Sequence, residues 1–310
     1  MARAVRSDGL VTAPRQVLPG TTYLVTRRCF QQQFLLRPCE TTNNVFSYLL
    51  AVASRRFGVL VHACCVLSNH FHLVVTDPDA RLPAFEQYLD SLVARALNAA
   101  TGRWESFWAP SSYSAVALCS PDDVVEKAAY TLANPVAAGL VPRGREWPGL
   151  WSDPEQIGRG PTRIPRPSTF FRAGGAMPEA ADLELTVPPG FESAVQFRER
   201  LTAALALLEE RAAFELASNG QAFLGKTRVL AQSSATRSAP GEARRQLRPR
   251  VAGRDKWKRI EALSRLRGFL TSYRSALQAL HDGVQDVIFP SGTYWLRVAF
   301  GVRCAAAAPA

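Results

Sequence analysis

The sequence predicts an α+β fold: a ferredoxin-like βαββαβ core with a mainly antiparallel sheet, followed by a mainly helical, basic C-terminal extension. Two observations carry this. Up to about residue 137, short β-branched runs alternate with longer amphipathic ones in the order strand, helix, strand, strand, helix, strand, helix. Beyond residue 190 the strand-like runs give way to long stretches of helical periodicity, and the excess positive charge gathers there.

Thr21 to Arg28 (TTYLVTRR) is a short β-rich run. Thr42 to Arg56 has apolar residues at helical spacing behind Thr42, Asn43 and Asn44, which are candidate caps. Val59 to Leu67 and His70 to Thr76 are β-type runs separated only by Ser68-Asn69, a gap that predicts a β-hairpin. Leu82 to Ala100 is a second amphipathic helix, ended by Thr101-Gly102, and Ser114 to Cys119 is strand-like. Ser120-Pro121-Asp122-Asp123 opens a third helix, with proline and acids where a helix N-terminus favours them. Pro135 disfavours α conformation at Asn134, so this helix is expected to stop there.

Trp147 to Pro189 is rich in Pro, Gly and Arg and lacks periodicity, as a linker or wrapping segment would. Phe191 to Leu216 reads as a long amphipathic helix, and the Ser/Pro/Arg-rich stretch from Gly225 to about Arg250 as flexible. Arg254 to Leu280 reads as a basic helix with Trp257, Ile260, Leu263, Leu266, Phe269, Leu270 and Tyr273 on its apolar side. Pro290 to Arg303 closes the chain as a turn plus a strand or short helix. The expected division is an arm over 1–18, a core domain over 19–150, a linker over 151–190 and the helical basic region over 191–310.

The net charge of +11 is unevenly spread. Residues 226–274 carry 14 Lys or Arg against 3 Asp or Glu, whereas residues 1–150 carry 14 against 11. A basic block of that density fits a polyanion, and nucleic acid is the expected one. Met1 to Pro14 has no apolar run, and nowhere does the chain approach the roughly 20 apolar residues of a membrane span, so a cytoplasmic protein without a membrane partner is expected. The six cysteines show no C-x-x-C spacing and read as reduced, mostly buried thiols.

His70 and His72 lie two apart in an apolar run, so in a strand both imidazoles point to one face while Phe71, Leu73 and Val75 point to a core. Two such ligands can hold one divalent ion and leave positions for substrate oxygens. Tyr130 and Asn134, four apart on the third helix, share a face. The Asn134 amide oxygen could complete the metal site, and the Tyr130 hydroxyl could attack a phosphate that the cation polarises. His62 reads as a satisfied sheet histidine. Arg27, Arg28 and Lys127 are candidate phosphate contacts, as are Arg254, Lys256, Lys258 and Arg259 in the basic region. Exposed aromatics there could stack on bases.

At SNHFHLVV (68–75) and YTLANPVAAGLV (130–141), with TTYLVTRR before them, the chain resembles the HUH single-tyrosine transposases, especially the REP-associated tyrosine transposases. The resemblance spans roughly Pro19 to Val141 in matching order. It implies a ferredoxin-like catalytic domain, Mg2+ or Mn2+, and cleavage of single-stranded, hairpin-forming DNA to a 5′-phosphotyrosine and a free 3′-OH. By position His70 and His72 match the metal ligands, Tyr130 the nucleophile, and Asn134 the polar residue one turn later. Leu67-Ser68 replaces the family's usual Met-Pro, and Ala129 and Ala137 stand where basic residues often occur. The expected function is a metal-dependent transposase or nuclease acting through that covalent intermediate, as monomer or homodimer. The alternative is a DNA-binding regulatory protein that keeps the fold and hairpin recognition but cleaves poorly. A third class is a phosphodiesterase that releases product by water without an adduct.

Overall fold

The structure is a computed structural model that describes residues 13–110, 113–238 and 249–306. Residues 1–12 of the N-terminal arm and residues 239–248 of the Ser/Pro/Arg-rich stretch lie outside the described residues, and the start of that stretch, expected to be flexible, forms a short helix over Lys226–Leu230.

The core elements are β1 (Thr21–Arg28), α1 (Glu40–Phe57), β2 (Leu60–Val66), β3 (His70–Asp77), α2 (Leu82–Ala100), β4 (Ser114–Leu118) and α3 (Pro121–Ala137). They are followed by β5 (Thr162–Pro165), β6 (Ala180–Leu183), α4 (Ala194–Ser218), α5 (Lys226–Leu230), β7 (Val251–Ala252) and α6 (Lys256–His281). The chain closes with β8 (Ile288–Phe289), α7 (Trp295–Phe300) and β9 (Arg303–Cys304). No helix among the described residues is long and apolar enough to cross a membrane.

The main sheet has the order β2-β3-β1-β4-β7. β1 runs antiparallel to β3, from Thr21 opposite Asp77 to Arg28 opposite His70, and antiparallel to β4. β2 and β3 form the hairpin the two-residue gap predicts, closed by Leu67 N–H donating to His70 O at 2.8 Å. A shift in register between Val61 and Ala63 leaves His62 unpaired in the ladder, as a β-bulge does. Only the β4–β7 pairing in this sheet is parallel.

Alternation along the strands assigns each residue to a layer. Tyr23, Val25, Phe71, Leu73 and Val75 pack with α1 and α2, and Leu24, Val74 and Val116 pack with α3 and α4. His70 and His72 therefore face α3. Residues 151–190 wrap the core: β5 and β6 pair antiparallel, and Ala181 and Ile164 pack into the α1–α2 layer. The edge strand β2 takes hydrogen bonds from this wrap, and β4, on the other side of the sheet, takes them from the extension through β7. Along β2, Val66 N–H donates to Leu150 O, Ser152 N–H to Cys64 O and Thr186 N–H to Val61 O, at 2.8–2.9 Å. Along β4, Ala117 N–H donates to Arg250 O at 2.9 Å and Cys119 N–H to Ala252 O at 3.2 Å.

Three local expectations change. α1 starts earlier than Thr42–Asn44 would place it, because Cys39 is the cap: its thiol accepts from Thr42 N–H at 3.5 Å and Thr42 is buried in the first turn. α3 does not stop at Asn134 but carries Pro135 inside it to Ala137. Pro135 and Val136 are buried, and with only two helical residues after it the proline forfeits one backbone bond, so packing outweighs its local cost. The helix ends instead at Gly139 (φ 66°), where Gly139 N–H donates to Val136 O and Leu140 N–H to Pro135 O, a Schellman motif. In α6 the apolar stripe is largely uncovered. Phe269 and Ala276 are its buried residues, while Trp257, Ile260 and Leu263 are exposed. All six cysteines are free; Cys64 and Cys65 are buried in different layers.

Candidate metal and tyrosine site

β3 carries the two imidazoles into the seam beneath α3. The His70 and His72 rings meet edge to face with centroids 4.8 Å apart and an interplanar angle of 89°. Tyr130 stands beside His72, ring centroids 5.4 Å apart, and the Asn134 side chain comes within reach of His70. The structure thus brings together the four residues whose spacing singles them out.

Each histidine is held from behind. His72 Nδ1 is 2.8 Å from the hydroxyl of Thr26, its cross-strand partner on β1. His70 Nδ1 is 2.6 Å from Asn69 Oδ1. An amide oxygen only accepts, so Nδ1 of His70 carries the proton and Nε2 keeps its lone pair. His72 Nε2 is buried and has no hydrogen-bond partner. Burial first, then the charge of Arg28, pushes His70 down to about 4, with the Asn134 hydrogen bond opposing. Burial, His70 and Arg28 hold His72 well below its ordinary value. Both rings are neutral at physiological pH, the protonation state a ligand needs.

These features fit a divalent cation. A buried, unpartnered ring nitrogen is costly unless something uses its lone pair. The two rings lie close enough, centroids 4.8 Å apart on one face of the strand, for both to reach one ion. His70, His72 and Asn134 would hold such an ion. Among the described residues no group of three or more His, Cys, Asp or Glu converges to hold a metal ion.

The basic candidates divide. Arg28 lies opposite His70 on the site's face of the sheet. Arg27 points to the other face, where its Nε lies 3.0 Å from Asp90 Oδ2 and its guanidinium 5.5 Å from the Trp108 ring centre. Lys127 is one turn before Tyr130, with Nζ 6.0 Å from the phenol ring centre and 2.6 Å from Glu126 Oε1. Arg254 joins the extension to α3: its N–H donates to Asp123 Oδ1 at 2.7 Å and its Nε lies 3.8 Å from Glu126. Lys256, Lys258 and Arg259 follow on the exposed start of α6, which Asp255 caps. There Trp257 is 74% exposed with Lys256 Nζ 5.6 Å from its ring centre.

His62 is a satisfied sheet histidine. Its Nδ1 meets Thr186 O at 2.9 Å and its Nε2 the Thr76 hydroxyl at 2.7 Å. Thr26 and Asn69 are supporting residues that the motif reading passes over. Asn69 is adjacent to the pair in sequence, whereas Thr26 can be found only once the register of β1 on β3 is known.

No family model matches the sequence, and no curated protein does. Among solved structures, the chain is similar to a REP-associated tyrosine transposase bound to a REP hairpin, at TM-score 0.39 and 20% identity, over 45% of this chain and 81% of that one. It is also similar to a candidate transposase from Deinococcus radiodurans R1, at TM-score 0.27 and 16% identity, over 36% of this chain and 85% of that one.

Proposed function

We propose that this protein is a metal-dependent DNA strand transferase that cleaves and rejoins single-stranded, hairpin-forming DNA through a 5′-phosphotyrosine at Tyr130. The observation that carries the proposal is the buried, unpartnered Nε2 of His72 beside the Tyr130 ring. The family resemblance of SNHFHLVV and YTLANPVAAGLV supports the choice of DNA over other phosphodiesters. The sheet order β2-β3-β1-β4, with every neighbour antiparallel, supports reading the core as ferredoxin-like.

In this reading His70, His72 and Asn134 hold Mg2+ or Mn2+. The bound ion would polarise the scissile phosphate and stabilise charge on its nonbridging oxygens. Tyr130 is 44% exposed, so a phosphate can reach its hydroxyl while the ring edge stays seated on His72. The phenolic oxygen forms the new bond to phosphorus, the bond to the 3′-oxygen breaks, and the phenolic proton ends on that leaving oxygen by way of solvent. The adduct keeps the energy of a phosphodiester, which lets a 3′-OH reverse the step on the same or another strand. Arg28 and Lys127 flank the phosphate, and the start of α6 binds the flanking strand through Lys256, Lys258, Arg259 and the Trp257 ring.

The test incubates the protein with Mn2+ or Mg2+ and labelled single-stranded hairpin oligonucleotides, followed by a denaturing gel. A metal-dependent covalent adduct, absent in Tyr130→Phe and in His70→Ala, is the expected result. Tight hairpin binding without an adduct would replace this reading with the regulatory one, and nicked DNA without an adduct would replace it with a hydrolase.

A further inference from the structure

We propose that Ser238, in the C-terminal region, is a positioning residue of the histidine site: together with Gln32 it fixes the orientation of the Asn69 amide, and Asn69 in turn fixes which nitrogen His70 offers to a metal. The inference rests on the metal reading above and adds to it a part of the chain that the motifs do not reach.

After α5 the chain returns to the core and lies along the loop that follows β1. Phe34 N–H donates to Thr236 O at 2.9 Å, Gln33 forms a bridge with Arg237, and Ser238 N–H reaches Gln32 O at 3.4 Å. The loop it covers is not a relaxed one. Gln31 and Gln32 both have left-handed backbones, with φ of 49° and 58°, a conformation uncommon outside glycine and asparagine. Two such residues in succession persist where surrounding contacts hold them.

The side chains continue the contact inward. Ser238 Oγ donates to Gln32 Oε1 at 2.7 Å and accepts from Asn69 Nδ2 at 3.2 Å. Asn69 Nδ2 also points at the Gln32 backbone carbonyl, at 3.5 Å. A carbonyl cannot donate, so the nitrogen end of Asn69 belongs on that side and the oxygen end on the side of His70. The resulting 2.6 Å contact puts the proton on His70 Nδ1. If the amide turned over, its nitrogen would face Nδ1, the proton would move to Nε2, and the lone pair that binds a cation would be lost. Outer partners of metal-binding histidines act in this way, by setting tautomer and ring direction.

The experiment titrates Mn2+ into the full-length chain and reads free Mn2+ by electron paramagnetic resonance, with the thermal midpoint recorded for every variant. In the natural sequence, binding that is lost in His70→Ala defines the site. Asn69→Ala is expected to weaken it by about 10- to 100-fold. Ser238→Ala should weaken it by about 3- to 10-fold, a milder share of the same effect, and Ser238→Thr should restore it. The decisive arm is the Asn69→Asp background. A carboxylate has an oxygen at both ends and no orientation to set, so there Ser238→Ala should change Mn2+ affinity less than twofold. A merely structural Ser238 would cost the same in both backgrounds, which would overturn the proposal, as would Ser238→Ala binding like the natural protein. Absence of any His70-dependent Mn2+ binding in the natural protein would instead remove the metal reading, and this inference with it.

Discussion

Tyr130 meets His72 edge to face while Asn134, one helical turn later, reaches His70, so α3 runs antiparallel to β3 over the two histidines. The match is metric. Four residues of helix advance about 6 Å and two residues of strand about 6.6 Å, so a helix laid antiparallel on the strand meets both histidines with one face. The beam is fixed at both ends, by the Ser120 cap and the Asp123–Arg254 contact at its start and by the Gly139 motif at its finish. Trp151 Nε1–H adds a third tie, donating to Leu132 O at 3.0 Å.

Thr26 is expected to matter through His72 alone. Thr26→Val keeps the shape and β-propensity of the strand but removes the hydroxyl that hydrogen-bonds His72 Nδ1. Mn2+ affinity should fall by about 10- to 100-fold with the fold retained. Calorimetric titration of the variant checks this, and unchanged affinity would mean that the His72 ring is oriented by packing.

Arg27 and Arg28 should separate cleanly despite being neighbours. Arg27→Gln strips the partner from Asp90, whose carboxyl burial already pushes up, in a pocket shared with buried Glu86. Breaking a buried pair costs about 3–5 kcal/mol, so a lowered unfolding midpoint is expected, with DNA affinity of the folded protein unchanged. Arg28→Gln should weaken DNA binding, with a shallower dependence on salt. Urea denaturation and salt-dependent binding isotherms on both variants decide it.

His62 contributes a pH dependence of definite sign. Burial holds its ring down to about 4, with the Thr186 carbonyl opposing, against an ordinary value of 6.5. Above 6.5 the ring is neutral folded or unfolded. As pH falls toward about 4 the unfolded chain takes up a proton that the buried ring refuses, so stability is lost. Burial raises Glu86 and Asp90, which acts in the opposite direction, so the whole-protein curve mixes the two. The difference between the natural protein and His62→Gln isolates the histidine. It should move against the natural protein by about 3 kcal/mol between pH 7 and pH 4; a difference independent of pH would show that the ring titrates normally.

Trp257 should contribute to nucleic-acid binding and not to folding. It is exposed beside Lys256 and Lys258, so Trp257→Ala removes no core contact. Loss of one stacked base would cost about 1–3 kcal/mol, or 5- to 150-fold, on an unstructured single strand, with no change in thermal midpoint. Fluorescence anisotropy with a labelled oligonucleotide measures it, and equal affinities would place the strand elsewhere.

What could be read from the sequence was periodic and local. The His-x-His spacing, the Ser68-Asn69 turn and the Ser120-Pro121-Asp122 start of α3 each depend on a few adjacent residues, and each appears in the structure where those residues place it. Competition between local and tertiary terms was not legible: the rule for a residue before proline ends α3 at Asn134, and burial of Pro135 and Val136 carries it on. Nor was register. Alternation separates Arg27 from Arg28, but which of them shares a face with the histidines follows only from β1 lying antiparallel beside β3. An apolar stripe such as that of α6 says that a helix has two faces and not that anything covers one of them. Ser238 lies 169 residues from Asn69, and nothing near it in sequence marks it.

The bonds that residues 150–186 make to β2, and that residues 250–252 make to β4, bear on how this protein can be handled. A fragment cut at residue 150, beyond the last of the motifs, would expose backbone groups of β2 and β4 at once. Bare strands of that kind recruit one another. Such a fragment is expected to precipitate or form higher-order species on expression, and the shortest well-behaved version of the core should run through Ala252.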